Sequence, residues 1–364
     1  MALVHLRHFI VDAESDPGTE EMEVYFTFKS SRPLDVNLAT LLEANTMAER
    51  DVDRDLRYRV LQNELRIILS YLHDEGPDGK LQLDVGNFAA TAAHIKRFLS
   101  ESVGLGMLTA AVQDYFAWEL GADAIYNFDV LPTEKKLEFS GQGVRPDLLF
   151  EFKDDGRALA GEARGRSERG PHGEATRTDQ RQRMKDMLGW SADHGAYPVA
   201  MTWAYLGGDH VQVDLFTMSD QSIGGLAYLP PMEAEAYLTE RVLFTDEAIG
   251  RGERRAARLF ETAPAPPERE RRRLFGREVR GDWVTADLVR PSDVRLFLGA
   301  METPAPTSDV RAARSRGQRG TPHQMRRYQT ALNERLVIVV ARSDSPEPEW
   351  SGVEAAVEHG VADD

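Results

Sequence analysis

Apolar and polar positions change period several times along the chain. Val24-Tyr25-Phe26-Thr27-Phe28 is a β-prone run that predicts a strand, closed by Pro33. Residues 38–49 and 52–73 read as helices. In the second, Leu56, Val60, Leu61, Leu65, Ile68 and Leu72 recur mostly three and four apart. Asn87 is an expected cap for a helix to about residue 100. Gly104-Leu105-Gly106 reads as a flexible joint ahead of a helix over 107–120. A strand is expected at 127–131. Two apolar runs, 148–152 and 158–163, then flank the turn Lys153-Asp154-Asp155-Gly156, a hairpin signal. Residues 178–190 read as a helix with Met184, Met187, Leu188 and Trp190 on its apolar face. The run 198–206 is apolar throughout, whereas Val211, Val213 and Leu215 alternate as in a half-buried strand.

Beyond residue 222 the pattern turns helical over 232–242 and 245–262. The break Ala263-Pro264-Ala265-Pro266-Pro267 follows, then a buried-strand run at 336–341 and a Pro- and acid-rich tail from 343. The expected architecture is α/β. It comprises an N-terminal α+β accessory domain (1–100), a core of mixed sheet and flanking helices (101–222), and an Arg-rich, mostly helical C-terminal region (223–364).

Composition narrows the function classes. The chain of 364 residues has no cysteine, so disulfides and thiolate metal sites are excluded. No run approaches a membrane span and no signal peptide stands at the N-terminus, so a cytoplasmic protein without a membrane partner is expected. A net charge of −16 argues against a general nucleic-acid coat but leaves room for a local basic groove. His5 and His8 stand three apart with no companion ligands and read as a surface pair.

The chemistry concentrates in the hairpin. Asp147 opens its first strand; Glu162 and Arg164 share a face of the second, and Arg166 continues that line. Two carboxylates brought together are oxygen ligands suited to Mg²⁺. The string Pro146-Asp147, then Glu162-Ala163-Arg164, resembles the PD-(D/E)xK nuclease superfamily, with Arg164 where that family has lysine. In that family a helix precedes the hairpin and a helix and two more strands follow, an order that residues 100–218 share. The resemblance implies a restriction-endonuclease-like fold and Mg²⁺ or Mn²⁺ held by Asp147, Glu162 and the Ala163 carbonyl. A carboxylate from the preceding helix often joins them there. Glu119 is the choice for that role; a solvated acid is the alternative. Gln180 is expected to contact phosphate or orient the site. Lys185 either replaces the missing lysine or is a surface residue. Arg164 stays protonated and cannot act as a base.

Arginines extend this picture. Residues 165–178 form an expected mobile loop at the mouth of the site, where Arg166, Arg169 and Arg177 can meet phosphates. A second cluster includes Arg316 and Arg319, and it tracks a nucleic-acid backbone, pairs with acidic segments or faces solvent. Three functions stand open. The first is a metal-dependent endonuclease acting on DNA, in restriction or antiviral defence as the resemblance implies. The second is a catalytically silent nucleic-acid-binding protein of the same fold, and the third a protein-interaction subunit. A homo-oligomer or a helicase or ATPase partner is compatible with each.

Overall fold

A computed structural model describes residues 2–15, 22–46, 54–75, 79–116, 122–128, 144–152, 157–194, 197–218, 227–228, 270–274, 276–289, 292–301, 328–332, 336–342, 350 and 353. The chain divides into two compact units. One comprises Ala2–Val36 and Leu72–Tyr237; the other comprises Asn37–Tyr71 and Leu238–Asp364 with Met1. This differs from the expected cuts at 100 and 222. The first strands belong with the hairpin, while the helices that follow them belong with the C-terminal region.

In the first unit, β1 (Ala2–Ser15) and β2 (Met22–Val36) form a long antiparallel pair. Pro33 does not end β2. It lies within it, tolerated because β2 pairs only with β1 and so leaves one edge free of ladder bonds. The second unit interposes α1 (Leu38–Thr46) and α2 (Arg54–Tyr71). The first unit resumes with β3 (Leu72–Glu75), β4 (Lys80–Leu83), α3 (Val85–Ala90) and α4 (Ala93–Tyr115). It is Asp84, not Asn87, that caps α3: its carboxylate accepts from the Asn87 amide at 3.0 Å. Then come β5 (Ala122–Asn127), β6 (Leu148–Phe152), β7 (Arg157–Arg166), α5 (Thr178–Asp193), β8 (Val199–Tyr205), β9 (Gln212–Met218) and β10 (Ala227–Tyr228).

The ten strands form one mixed sheet, β3-β4-β1-β9-β8-β7-β6-β5, with β2 beside β1 and β10 beside β7. β6 runs antiparallel to both β5 and β7; β8 lies parallel to β7, and β9 antiparallel to β8. Strand-and-helix alternation thus gives a mixed α/β unit with helices flanking a large sheet.

The glycines expected to form a joint lie inside α4. Its middle section is buried on nearly every side, from Leu99 to Val112, which erases the amphipathic period that would have marked it. Gly104 is there because α4 touches β7 backbone to backbone: a Cβ on it would stand 2.8 Å from the Gly165 nitrogen. A Cβ on Gly165 would stand 1.7 Å from the Ser100 carbonyl oxygen. Gly165→Ala is therefore expected to cost about 3 kcal/mol or more by forcing helix and strand apart, read as a lowered urea midpoint; a change below about 1 kcal/mol would contradict this contact.

In the second unit, strands stand in the described part of a C-terminal region expected to be mostly helical. Its described C-terminal residues form a five-stranded antiparallel sheet: β11 (Glu270–Leu274), β12 (Arg277–Thr285), β13 (Val294–Met301), β14 (Tyr328–Leu332) and β15 (Leu336–Arg342), in the order β11-β12-β13-β15-β14. Phe297, Met301, Val337 and Val339 pack on one face with Trp283 and Trp350. From α2, Tyr58 donates to the Leu298 carbonyl at 2.5 Å and accepts from the Asp282 amide at 3.0 Å. The expected helices at 232–242 and 245–262 lie outside the described residues, as do Arg316 and Arg319. No described helix is long and apolar enough to cross a membrane.

Candidate functional site

The register of the strands sets the site. Directly paired residues share a face of a sheet, so the pairings define three rows on the face that α5 covers. The first is Glu162, Met201, Phe216 and Phe9, across β7, β8, β9 and β1. The second is Arg164, Trp203, Asp214 and Arg7. The third is Arg166, Tyr205, Gln212 and His5. Polarity increases from row to row toward one end of the strands. On the opposite face, Gly161 meets Leu108 of α4. The alternation on β7 therefore divides helix packing from chemistry.

The paired strands β6 and β7 bring Asp147 and Glu162 close enough for the charge of one to act on the other. The Asp147 amide donates to the Gly161 carbonyl at 2.9 Å, the last bond of the β6–β7 ladder. The Asp147 side chain then takes over: its Oδ2 accepts from the Ala163 amide at 2.8 Å. Amide and carbonyl of one strand residue point to the same edge, so the Ala163 carbonyl emerges beside Asp147. Burial, reinforced by the neighbouring charge of Glu162, pushes the Asp147 carboxyl up to about 7, against the opposing pull of the Ala163 amide and of Arg164 and Arg183.

Glu162 is fully buried. Its Oε1 is held by Arg164 Nε at 2.7 Å and by Arg183 Nε of α5, also at 2.7 Å. Its Oε2 has no hydrogen-bond partner among the described residues. Arg183 is 16 % exposed and Arg164 is 41 % exposed, so the inner cation is the one from the helix. Its guanidinium also donates to the Arg145 carbonyl at 3.5 Å.

The two residues expected from α5 take other roles. Lys185 makes no hydrogen bond or ion pair with any described residue; Arg183, two positions earlier, supplies the cation instead. Gln180 is fully buried, away from the carboxylate pair. It accepts from the Arg177 amide at 2.7 Å and donates to Tyr205 Oη at 3.0 Å and Asp214 Oδ2 at 3.2 Å. Glu119 lies outside the described residues. Among those described, no group of three or more His, Cys, Asp or Glu side chains converges on a metal position. The available donors are two carboxylates and one carbonyl, an all-oxygen set of the kind Mg²⁺ takes. The orphaned Oε2 of Glu162 fits such an ion. The two guanidiniums on Oε1 bring two positive charges to the pair of carboxylates.

The loop between β7 and α5 is anchored, contrary to the expectation of a mobile one. Arg7 Nη1 donates to the Gly173 carbonyl at 2.6 Å and the Ala175 carbonyl at 3.3 Å; Gln212 donates to the Pro171 carbonyl at 3.3 Å. Arg7 is itself buried against Asp214, with Nε on Oδ1 at 2.7 Å and Nη2 on Oδ2. Burial and the adjacent Asp214 charge raise the Tyr205 phenol well above its usual range. Arg166, Arg169 and Arg177 do stand at this end of the sheet. Arg166 stacks 4.6 Å over Trp203 and reaches Asp179; Arg177 lies 5.3 Å over Tyr205 and pairs with Glu168; Arg169 pairs with Asp209. These pairs involve exposed groups, so they are weak and can give way to phosphates.

The histidines of β1 are not a surface pair, because three positions along a strand reverses the face. His8 is buried, with Nε2 2.9 Å from Thr217 Oγ1, and its pKa is lowered to about 4 by burial and by Arg32 and Lys29. His5 stands on the other face, at the end of the third row. Sequence reading missed Arg183, Arg7 and Asp214. Arg183 carries a weak signal, lying next to Met184 at the border of the buried face of α5; Arg7 and Asp214 meet only through the fold.

No family model, curated protein or solved structure was found to match the chain.

Proposed function

We propose that the unit holding Asp147 and Glu162 is a divalent-metal-dependent phosphodiester hydrolase acting on DNA, of restriction-endonuclease-like fold and serving restriction or antiviral defence. One observation carries the reading: a carboxylate oxygen, Glu162 Oε2, is buried near Asp147 with no donor among the described residues. Such a group costs about 1–3 kcal/mol or more when left unpaired, and a cation removes that cost. The element order also supports it, a helix and three antiparallel strands followed by a helix and a parallel strand.

Asp147, Glu162 and the Ala163 carbonyl would hold Mg²⁺ or Mn²⁺. Bound there, the ion supplies Lewis-acid polarisation of a phosphoryl oxygen and acidifies a water. The chain's own part is positional and electrostatic. The Ala163 amide fixes the Asp147 carboxylate. Arg164 and Arg183 remain protonated, so neither takes a proton from water. Their guanidiniums stand ready to donate to phosphate oxygens and to offset developing negative charge. Arg166, Arg169 and Arg177 extend the cationic edge along the strand ends.

The same arginines favour a second reading, a silent nucleic-acid-binding protein, since they neutralise the carboxylates charge for charge. Incubating the protein with supercoiled and linear DNA separates the two. Cleavage is expected with Mg²⁺ or Mn²⁺, to be lost with EDTA and to fall by about 100-fold or more in Glu162→Ala. DNA retardation without cleavage by either metal is the result of the second reading, and undiminished cleavage by Glu162→Ala overturns the first.

A further inference from the structure

The third row ends in a cleft of about 420 Å³ beside the first part of β1 and the middle of β2, closed by the 169–174 loop and the turn before β9. His5, Phe28, Arg169, His172, His210 and Gln212 are among the residues that line it. The His5 and His210 rings meet edge to face at 5.7 Å, and His5 Nε2 lies 3.1 Å from Ser31 Oγ. The cleft's two arginines already have carboxylate partners, and the Glu174 carboxylate adds a negative charge to its lining. Arg7 is held by Asp214, and Arg169 reaches Asp209 at 3.0 Å. Burial, then the charges of His210 and Arg7, lower the His5 pKa against the pull of Asp214.

A cleft of this kind does not select an anion. It offers ring walls together with donors and acceptors at their edges. That matches a flat heteroaromatic group with a hydrogen-bonding rim, which in nucleic acids is an unstacked base. Its place on the sheet agrees. β1 lies three strand spacings from β7, and His5 lies four residues along the strand from the level of Glu162, so the cleft stands roughly 20 Å from the carboxylate pair, or about six nucleotides at the rise of a stacked strand. The arginines described above line the interval: Arg166 over Trp203, Arg177 over Tyr205, and Arg169 at the cleft itself.

We propose that this cleft holds an unpaired nucleobase of a single nucleic-acid strand whose backbone runs past Arg177 and Arg166 to the Asp147–Glu162 pair. The strand path, though not the base site, rests on the hydrolase reading. The site makes the protein selective for substrates with a single-stranded stretch a few nucleotides from the reacting phosphate.

The test uses the full chain in EDTA. A short single-stranded DNA carrying 2-aminopurine, a blunt duplex and a free nucleoside monophosphate are titrated against wild type, His210→Ala and His5→Ala. The two substitutions lie on different elements, and thermal midpoints check that both variants fold. Each variant is expected to bind the single strand about 10-fold more weakly and to lose the quenching of 2-aminopurine, with duplex binding unchanged. Single-strand binding at wild-type strength in both variants overturns the proposal, and so does a free monophosphate that binds as tightly as the strand. Adding Mg²⁺ or Mn²⁺ keeps the two readings apart. Cleavage with no effect of the cleft variants removes the base site and leaves the hydrolase. Variant-sensitive binding without cleavage keeps the base site and removes the hydrolase and the strand path with it.

Discussion

Asp147→Asn is expected to stabilise the metal-free protein at about pH 8 by on the order of 3 kcal/mol while abolishing metal-dependent cleavage. The folded protein raises the Asp147 carboxyl to about 7 from an ordinary value of 3.8, through burial first and the charge of Glu162 second. Between those values the unfolded chain binds fewer protons than the folded one, so stability falls as pH rises. The penalty is absent below about pH 4, where both states are protonated, and complete above about pH 7. Asparagine keeps an oxygen for the Ala163 amide and carries no charge, so its advantage grows through the same window. Urea unfolding of wild type and variant at about pH 5 and about pH 8, with chelator present, reads this directly. An equal gain at both pH values, or a loss at the higher one, would contradict the cause assigned to the shift. The trade of stability for a charged site is a familiar signature of function.

The second large effect lies one row away. Asp214→Ala is expected to cost about 3–5 kcal/mol, because it leaves the buried Arg7 guanidinium without a counter-charge. Asp214 accepts from Arg7 twice, from Gln180 at 3.2 Å and from Gln212 at 3.1 Å. Losing it also loosens the groups that hold the 170–175 backbone. Amide hydrogen exchange over residues 167–177 is expected to accelerate along with the drop in urea midpoint. A loss below about 1 kcal/mol with an unchanged loop would show that the ion pair is not what anchors it.

How far the sequence foretold this arrangement depends on the range over which each feature is encoded. The antiparallel pair β6–β7 was legible because its signal is local: two apolar runs with Asp147 and Glu162 at matching ends, the expected turn at 153–156 lying outside the described residues. α5, β8 and β9 were legible for the same reason, as was β15. Asp214 was not. It sits between Val213 and Leu215 in an alternating strand, a pattern that places it on a solvent face, yet it is fully buried. The sheet is covered on both faces at that point, and the partner that makes burial tolerable is on β1, far away in sequence. The same non-local pairing hid β1 and the place of β2: the strand expected at Val24–Phe28 looks like part of an accessory domain, yet both are strands of the main sheet.

Arg183 shows a different limit. The family resemblance raised Lys185 as a replacement for the missing lysine, with a surface residue as the alternative. The helical turn decides otherwise: with Met184 and Met187 fixed in the core, position 183 borders β7 and reaches Glu162. α4 escaped notice as one long helix because its central section is buried on nearly all sides and its glycines suggest a break. The close approach of Gly104 to Gly165 explains them, and it exists only once the helix lies on the sheet.

The central claim is that Asp147 and Glu162 form a divalent-cation site, and calorimetric titration of the chelator-stripped protein with Mn²⁺ tests it most directly. One saturable site is predicted in the wild type, absent in both Asp147→Asn and Glu162→Ala and unaffected in His210→Ala. No binding by the wild type, or binding that survives both carboxylate substitutions, would contradict the account.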